Sequence, residues 1–238
     1  MYHSVTFGSK NSYTDWHLVP DGRPVIAMPE VKTNYVEVPG LNGVIDLSET
    51  LTKYPTYGNR TGDLTFHVLN GYRPWQELYQ EIANYVHGKR INLSLEDDPD
   101  YYYNGRVSIS EWTSNNDGTW SDISFSYELD PYKYAKTEYS SGPVTFNSNS
   151  TTYTYTTDQV GRMPVSPTIT VSGVGTSGIT VVCNNPELGI SNRSRKITTN
   201  STFTFYDMLL SKMNTSNNCR LTVSGQGTVT IRFRRGEL

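Results

Sequence analysis

Hydrophobic and polar residues alternate in short segments through the first 130 residues of the chain. These segments are rich in β-branched and aromatic residues, which is typical of strands with one buried face. They are "HSVTFG", "WHLV", "NYVEV", "LTFHV", "INLSLE", "GRVSISEW" and "WSDISFSYEL". The sequence "NNDG" at 115–118 predicts a hairpin loop between the last two strands. This region is therefore predicted to be mainly β.

One segment, "RPWQELYQEIANYVHG", has helical spacing instead. Its apolar residues fall on a single face, and they are Trp75, Leu78, Tyr79, Ile82 and Val86. Pro74 suits the first turn of a helix, and Gly88 suits the position just past its end. We therefore predict one α-helix, at about residues 73–87, that covers one face of a sheet.

The stretch 139–157, "YSSGPVTFNSNSTTYTYTT", is poor in charge and in large aliphatic residues. Two interpretations stay open: a linker, or an exposed polar strand, because alternating Thr and Tyr suits strands. Short strands recur after it, from "PTITVSG" to "TVTIRFRR", which predicts a C-terminal β-sandwich. The predicted organisation is an N-terminal domain at 1–138, the stretch 139–157, and a C-terminal domain at 158–238.

The composition narrows the class of protein. A hydrophobic fraction of 35% suits a packed core, and the net charge of −3 provides no basic field for nucleic acid. No apolar run reaches the roughly 18–20 residues that span a bilayer, and the N-terminus lacks the layout of a signal peptide. Synthesis and folding in a cytoplasm are therefore expected. Cys183 and Cys219 form neither a disulfide framework nor a metal-ligand pattern.

The sequence contains no recognisable catalytic motif, metal-ligand pattern or cofactor fingerprint. The four histidines (His3, His17, His67 and His87) have no ligand spacing. The cluster "EDDPDYYY" at 96–103 raises calcium binding or acid–base chemistry, with Asp97, Asp98 and Asp100 as candidates for a hydrolase. A proline inside it favours a solvated turn between two strands. We therefore predict a non-enzymatic protein without metal or cofactor.

Several successive segments resemble the distal tail proteins (Dit) of long-tailed, siphovirus-type phages of Gram-positive bacteria. They are "PDGRPVIAMPEVKTNYVEVPGLNGVIDLSE", "YGNRTGDLTF", the helix from "RPWQELYQEIANYVHGKR", "LEDDPDYYYNGRV" and "DPYKY". The resemblance covers about the first 135 residues in order and continues more loosely in "SPTITVSG" and "VTIRFRRGEL".

This resemblance implies a structural protein of the virion tail tip or baseplate, synthesised in the bacterial host. It implies a homohexameric ring at the distal end of the tail, built from an N-terminal β-sandwich or barrel-like domain with one helix. A galectin-like C-terminal β-sandwich is implied to project outward. The implied partners are the tail tube protein, a tail-associated hub or lysin protein and, in some phages, receptor-binding proteins. DNA passes through the lumen without specific binding, and no membrane is involved.

The segment 39–62 is unusually long for a connection, since most loops in compact domains have about 4–6 residues. A ring needs contacts in which one face of each copy grips a different face of its neighbour. We interpret 39–62 as an arm that packs on the adjacent subunit, against the simpler alternative of a mobile loop. Four glycines permit bends and two tyrosines supply anchors: Gly40, Gly43, Gly58, Gly62, Tyr54 and Tyr57.

A binding function of a different class also stays open. The C-terminal sandwich is a candidate carbohydrate-binding module for host cell-wall saccharide, which needs an exposed aromatic platform. All four tryptophans precede residue 121, however, and Phe203, Phe205 and Tyr206 are interpreted as alternating strand residues. The ring is therefore the favoured hypothesis.

Overall fold

The computed structural model describes residues 3–69, 74–114, 121–147, 152–156 (backbone only), 160–212 and 219–238. In chain order its elements are β1 (Val5–Phe7), β2 (Lys10–Asn11), β3 (Leu18–Pro20), β4 (Tyr35–Val36), β5 (Ile45–Asp46), β6 (Arg60–Val68), α1 (Trp75–Val86), β7 (Lys89–Leu95), β8 (Tyr101–Ser114), β9 (Ser121–Leu129), β10 (Lys133–Ala135), β11 (Tyr139–Ser140), β12 (Val144–Phe146), β13 (Thr152–Thr156), β14 (Thr168–Ser172), β15 (Ile179–Asn185), a 3-10 turn (Pro186–Leu188), β16 (Ile190–Ile197), β17 (Ser201–Thr204), β18 (Arg220–Gly225), β19 (Gly227–Phe233) and β20 (Gly236–Glu237). The prediction of a mainly β protein is confirmed.

The chain divides into two compact units. The first comprises Met1–Lys32 and Tyr57–Lys136, and the second comprises Thr33–Thr56 and Thr137–Leu238. Each unit has its own cluster of buried hydrophobic side chains.

An antiparallel sheet forms the first unit, with strand order β2-β1-β7-β8-β9-β6-β3 and β10 beside β8. Its central strands alternate as their sequences predict: Ile123, Phe125, Tyr127 and Leu129 of β9 are buried while the residues between them are more exposed. β6 and β9 pair along all nine residues of β6, from Arg60↔Leu129 to Val68↔Ser121. The predicted "NNDG" loop lies outside the described residues.

The helix α1 packs its apolar face into this core through Leu78, Ile82 and Val86. The 3.6-residue period places these three side chains on one face, which is the reason the segment forms a buried helix. Cations satisfy carbonyls at its C-terminal end: Lys89 Nζ donates to Asn84 O at 2.5 Å, and Arg106 donates to Gly88 O. The predicted helix is therefore confirmed.

In the second unit two sheets share one core, and residues 33–56 contribute the two-stranded pair of β4 and β5. One has the order β11-β19-β14-β17, with β12 also on β19, and the other has the order β13-β18-β15-β16. Both send alternate residues into the same buried cluster, such as Ile169 and Ile231 from the first and Val181 and Val223 from the second. The described part of 139–157 contains three strands (β11, β12 and β13), each paired with β18 or β19.

Candidate assembly surface

Exposed apolar residues are concentrated in one stretch of the chain. Of the fourteen large hydrophobic side chains that are exposed in the described residues, eleven lie between residues 25 and 51. They are Val25, Met28, Val31, Tyr35, Val36, Val38, Leu41, Val44, Ile45, Leu47 and Leu51. This concentration makes the stretch a candidate interaction surface, because an ordinary surface shows single scattered apolar residues.

Most of these exposed residues lie in 33–56. From here on, the name arm refers to residues 33–56, in place of the predicted segment 39–62. The arm is a small hairpin in which Tyr35 pairs with Asp46 and Val36 pairs with Ile45. Gly40 and Gly43 in its loop both have φ of +85°, a conformation that glycine adopts without the penalty of a Cβ. These two predicted glycines therefore lie where the chain has to reverse.

Hydrogen bonds within the arm give it a defined shape. Asn34 N donates to Ser48 Oγ at 2.8 Å, and Ser48 Oγ donates to the Asp46 carboxylate at 2.5 Å. The bonds from Ser48 hold the pKa of Asp46 below its ordinary value. Across the part of the chain that the structure describes, the hydrogen bonds formed by residues 33–56 have both partners inside the arm. The arm is thus ordered locally while its apolar side chains stay in solvent.

A compact turn, residues 47–54, carries the most exposed apolar side chain of the chain's described part. Lys53 N donates to Glu49 O at 2.8 Å, and Thr52 Oγ1 donates to Tyr54 O at 2.7 Å. Lys53 has a φ of +66°, so the chain bends sharply there. Leu51 is 95% exposed on this turn. The turn therefore presents Leu51 as a hydrophobic knob two residues from the cation Lys53.

The arm starts and ends at one place on the first unit. Val31 and Tyr57 form an isolated antiparallel bridge, and Gly58 N donates to Glu30 O at 2.8 Å. The Tyr57 ring lies edge-on to Tyr132, with centroids 5.9 Å apart. Tyr57 and Gly58, both predicted arm residues, lie at this root, whereas Tyr54 is half-buried in the arm itself.

Arg60 anchors the root from inside the first unit. Its side chain is only 1% exposed, and its guanidinium donates to Ala27 O and to Pro131 O, both at 2.8 Å. It also lies 5.3 Å from the centre of the Tyr103 ring. Burial lowers the pKa of this guanidinium, which remains a cation because arginine does not deprotonate in proteins. Arg60 therefore ties the chain segments before and after the arm to one point.

The last predicted arm residue, Gly62, lies within β6 and is half-buried. A Cβ at this position would overlap Tyr127 Oη and lie 2.8 Å from Tyr127 Cζ. The Tyr127 hydroxyl continues past Gly62 and accepts a hydrogen bond from Ala27 N at 3.0 Å. The sequence pattern showed a glycine but could not show that a tyrosine 65 positions later requires it.

Three carboxylates of the acidic turn at 96–100 already bond to other residues of the same chain. Glu96 accepts from Ser4 N at 2.7 Å, Asp97 pairs with His3 and Arg23, and Asp98 pairs with Lys133 at 2.7 Å. The backbone hydrogen bond from Ser4 lowers the pKa of Glu96, and the bonds from His3 and Arg23 lower that of Asp97. Across the described residues, no group of three or more His, Cys, Asp or Glu side chains has a metal-binding arrangement.

One histidine has both ring nitrogens against carboxylates. His67 Nδ1 lies 2.5 Å from Asp122 Oδ1, and His67 Nε2 lies 3.0 Å from Asp21 Oδ1. The hydrogen bond to Asp122 is the main cause that raises the pKa of His67. Only an imidazolium can donate from both nitrogens, so this geometry favours the charged ring. The residues link β6 and β9 to the segment after β3.

Both cysteines are buried in the second unit, and neither is in a disulfide. Burial raises the pKa of Cys183 to about 12, with a smaller contribution from Cys219. A thiol with such a pKa is a poor nucleophile at neutral pH, which fits a packing role.

Comparisons with known proteins identify the fold. No family model matches the chain, and no curated protein matches it. Among solved structures it matches SPP1 Dit (gp 19.1), which is described as a paradigm of the hub adsorption apparatus in phages that infect Gram-positive bacteria. The TM-score is 0.62 and the identity 14%, and the match covers 100% of both chains. The chain has the SPP1 Dit fold.

An identity of 14% supports the fold alone. None of the helices in the described residues is long and apolar enough to cross a membrane.

Proposed function

We propose that this chain is a structural virion protein that forms a homohexameric ring at the distal end of a phage tail. The observation that carries the proposal is the full-length likeness to SPP1 Dit, a hub adsorption protein. In the ring the chain joins the tail tube to the baseplate or tail-tip hub, and it supports receptor-binding proteins where the phage has them. It acts by assembly, without catalysis or a cofactor.

The arm provides a physical reason for assembly. Leaving the exposed apolar side chains of the arm in water is unfavourable by roughly 25 cal/mol per Å² of apolar area, and a partner surface removes that penalty. An exposed arm fits a contact in which unlike surfaces meet, and such contacts close into a ring when the rotation between copies closes. The net charge of −3 is compatible with a lumen through which DNA passes without adhesion.

Mass measurement in solution tests the ring directly. Light scattering and sedimentation over a concentration series are expected to show a species near six copies that grows with concentration. Replacement of residues 34–55 by a short Gly-Ser linker is expected to leave a folded monomer, because the Val31–Tyr57 bridge at the root is retained. Tyr206→Ala, an exposed change in the other part of the second unit, is the matched control and is expected to keep the ring.

The outcomes separate the alternatives. A wild-type chain that stays monomeric at every concentration, and forms no ring when mixed with tail tubes, contradicts the proposed function. A ring that survives loss of the arm contradicts only the role of the arm. A mobile-loop interpretation of the arm predicts this second result.

A second candidate function is saccharide binding by the second unit. Tyr206 is 81% exposed just beyond β17, and Arg195, which bonds Asp207, is close to it in sequence and fold. An exposed aromatic ring flanked by charged groups can stack on the C–H face of a sugar. Pull-down of the full chain by purified cell wall, lost in Tyr206→Ala, would support this function; equal retention of both proteins would contradict it.

A further inference from the structure

A cleft on the first unit complements the exposed turn of the arm. It is lined by residues 20–25 and 63–66 and has a volume of about 280 Å³. This is just below the roughly 300–1,000 Å³ of typical small-molecule sites, so it suits one or two side chains better than a ligand. Pro20, Pro24 and Val25 give it apolar surface, whereas the side chains of Leu64 and Phe66, which also border it, are buried in the core. Its charged residues are Asp21, Asp63 and Arg23, and Arg23 is paired with Asp97 at 2.7 Å.

The cleft follows an uncovered edge of β6. β3 pairs only with Phe66–Val68, whereas β9 pairs with the whole of β6. Beyond β3, Thr65 O still accepts from Asp21 N at 3.0 Å, but within the described residues the backbone from Thr61 to Leu64 has no partner on this side. Open strand edges of this kind accept additional chain segments.

The charges of the cleft and of the arm turn are complementary. Lys53 has no carboxylate within 4.0 Å among the described residues, and it lies two positions from the 95%-exposed Leu51. Asp63 is exposed, and its carboxylate accepts a hydrogen bond from Ser110 Oγ at 3.2 Å without a cation beside it in the described part of the chain. The arm turn thus presents an exposed Leu51 with a cation, and the cleft presents an exposed Val25 with the anion Asp63.

We propose that the Leu51–Lys53 turn of one copy seats in this cleft of the neighbouring copy. Leu51 fills the apolar part of the cleft, and Lys53 pairs with Asp63. This inference rests on the proposed ring and names its acceptor surface. The contact is between unlike surfaces, so every copy uses its arm once and its cleft once.

Two single substitutions disable the two halves of the contact separately. Leu51→Asp impairs the arm and leaves the cleft intact, whereas Asp63→Lys impairs the cleft and leaves the arm intact. Both positions are exposed, so both variants are expected to fold, which circular dichroism and the unfolding midpoint check. Each change is expected to raise the concentration needed for assembly at least about tenfold. Glu138→Lys, an exposed acid in the second unit, is the charge-matched control.

Mixing provides the decisive measurement. Each variant alone is expected to sediment as a monomer, while an equimolar mixture is expected to form a 1:1 dimer and nothing larger. The intact arm of Asp63→Lys can enter the intact cleft of Leu51→Asp, and no second intact pair remains. In one chain, Lys53→Asp combined with Asp63→Lys is expected to restore the ring by exchanging the two charges.

Other outcomes overturn the inference in distinguishable ways. If Leu51→Asp is monomeric but Asp63→Lys assembles like wild type, the arm binds elsewhere, and the proposed function stands without this acceptor. If Asp63→Lys forms dimers by itself, two arms pair with each other and the contact is between like surfaces. If wild type never assembles, alone or with tail tubes, the proposed function and this inference fail together.

Discussion

Two stretches of the chain can each be interpreted from sequence as a loop or linker, but they differ in burial in the structure. Residues 139–156 are poor in large aliphatic residues, yet their described part forms strands on β18 and β19 and buries Phe146 to 1% exposure. The arm, residues 33–56, has far more aliphatic residues, and they remain exposed. Apolar content therefore does not decide burial. A stretch is buried when the same chain offers it a partner, and the arm has none among the described residues.

The largest expected effect compares the two stretches directly. Phe146→Ala is expected to destabilise the protein by about 3–5 kcal/mol, because it leaves a cavity in the core of the second unit. Leu51→Ala in the arm is expected to change the free energy of unfolding of the monomer by at most about 0.5 kcal/mol. Urea unfolding at a concentration below assembly measures both. Equal effects would show that the arm is buried within its own chain.

A substitution at the root of the arm should lower the free energy of unfolding as a core substitution does, whereas a substitution in the arm should not. Arg60→Met removes the donors to Ala27 O and Pro131 O, and these two carbonyls lose the hydrogen bonds of a buried guanidinium. We expect the free energy of unfolding to fall by about 2–4 kcal/mol. The fall is reduced because the variant no longer has to desolvate a buried cation. Lys53→Met, an exposed cation changed in the same way, is the control in urea unfolding. A neutral Arg60→Met would mean that the carbonyls find water and that the anchor is dispensable.

Two of the predicted arm glycines differ in whether a Cβ would overlap another side chain. Gly62→Ala is expected to cost about 1–3 kcal/mol, because its Cβ would overlap the Tyr127 hydroxyl. Gly58→Ala is the matched control, since a Cβ there meets only Glu30 O at 3.8 Å. Thermal unfolding of the two variants, and of Gly62→Ala combined with Tyr127→Phe, measures the overlap. A partial rescue by Tyr127→Phe is expected, and equal midpoints for both single variants would contradict the interpretation.

The smallest expected effect concerns His67, which lies between Asp21 and Asp122 beside the cleft. Its pKa is raised in the folded state, so its stabilisation is complete below about pH 6.5, the unfolded value, and is lost as the pH rises through the folded pKa. Because the side chain is 49% exposed, the contribution is below about 1 kcal/mol.

A pH series of unfolding measurements checks this prediction. The wild-type advantage over His67→Gln is expected to be larger at pH 6 than at pH 9, and Asp122→Asn is expected to remove most of the difference. An advantage that grows with pH would give the opposite sign and contradict a charged ring.

The sequence alone determined the parts of this fold that depend on local periodicity. The apolar spacing from Trp75 to Val86 produced the helix, and strict alternation in β9 and β19 produced strands with one buried face. These patterns are readable because 3.6- and 2-residue periods place side chains on one face whatever the rest of the chain does. The resemblance to the distal tail proteins agreed with the fold for the same reason, since it rests on the order of such segments.

Only the tertiary structure decided which segments found partners. Arg60 is a buried anchor because Ala27 and Pro131 converge on it, and Gly62 is required because Tyr127 passes beneath it. The arm and residues 139–156 differ because β18 and β19 lie beside one and not the other. Contacts between residues more than 30 positions apart leave no periodic trace in sequence. The sequence therefore indicated an unusually long segment at 39–62, but the cleft was visible only once the chain was folded.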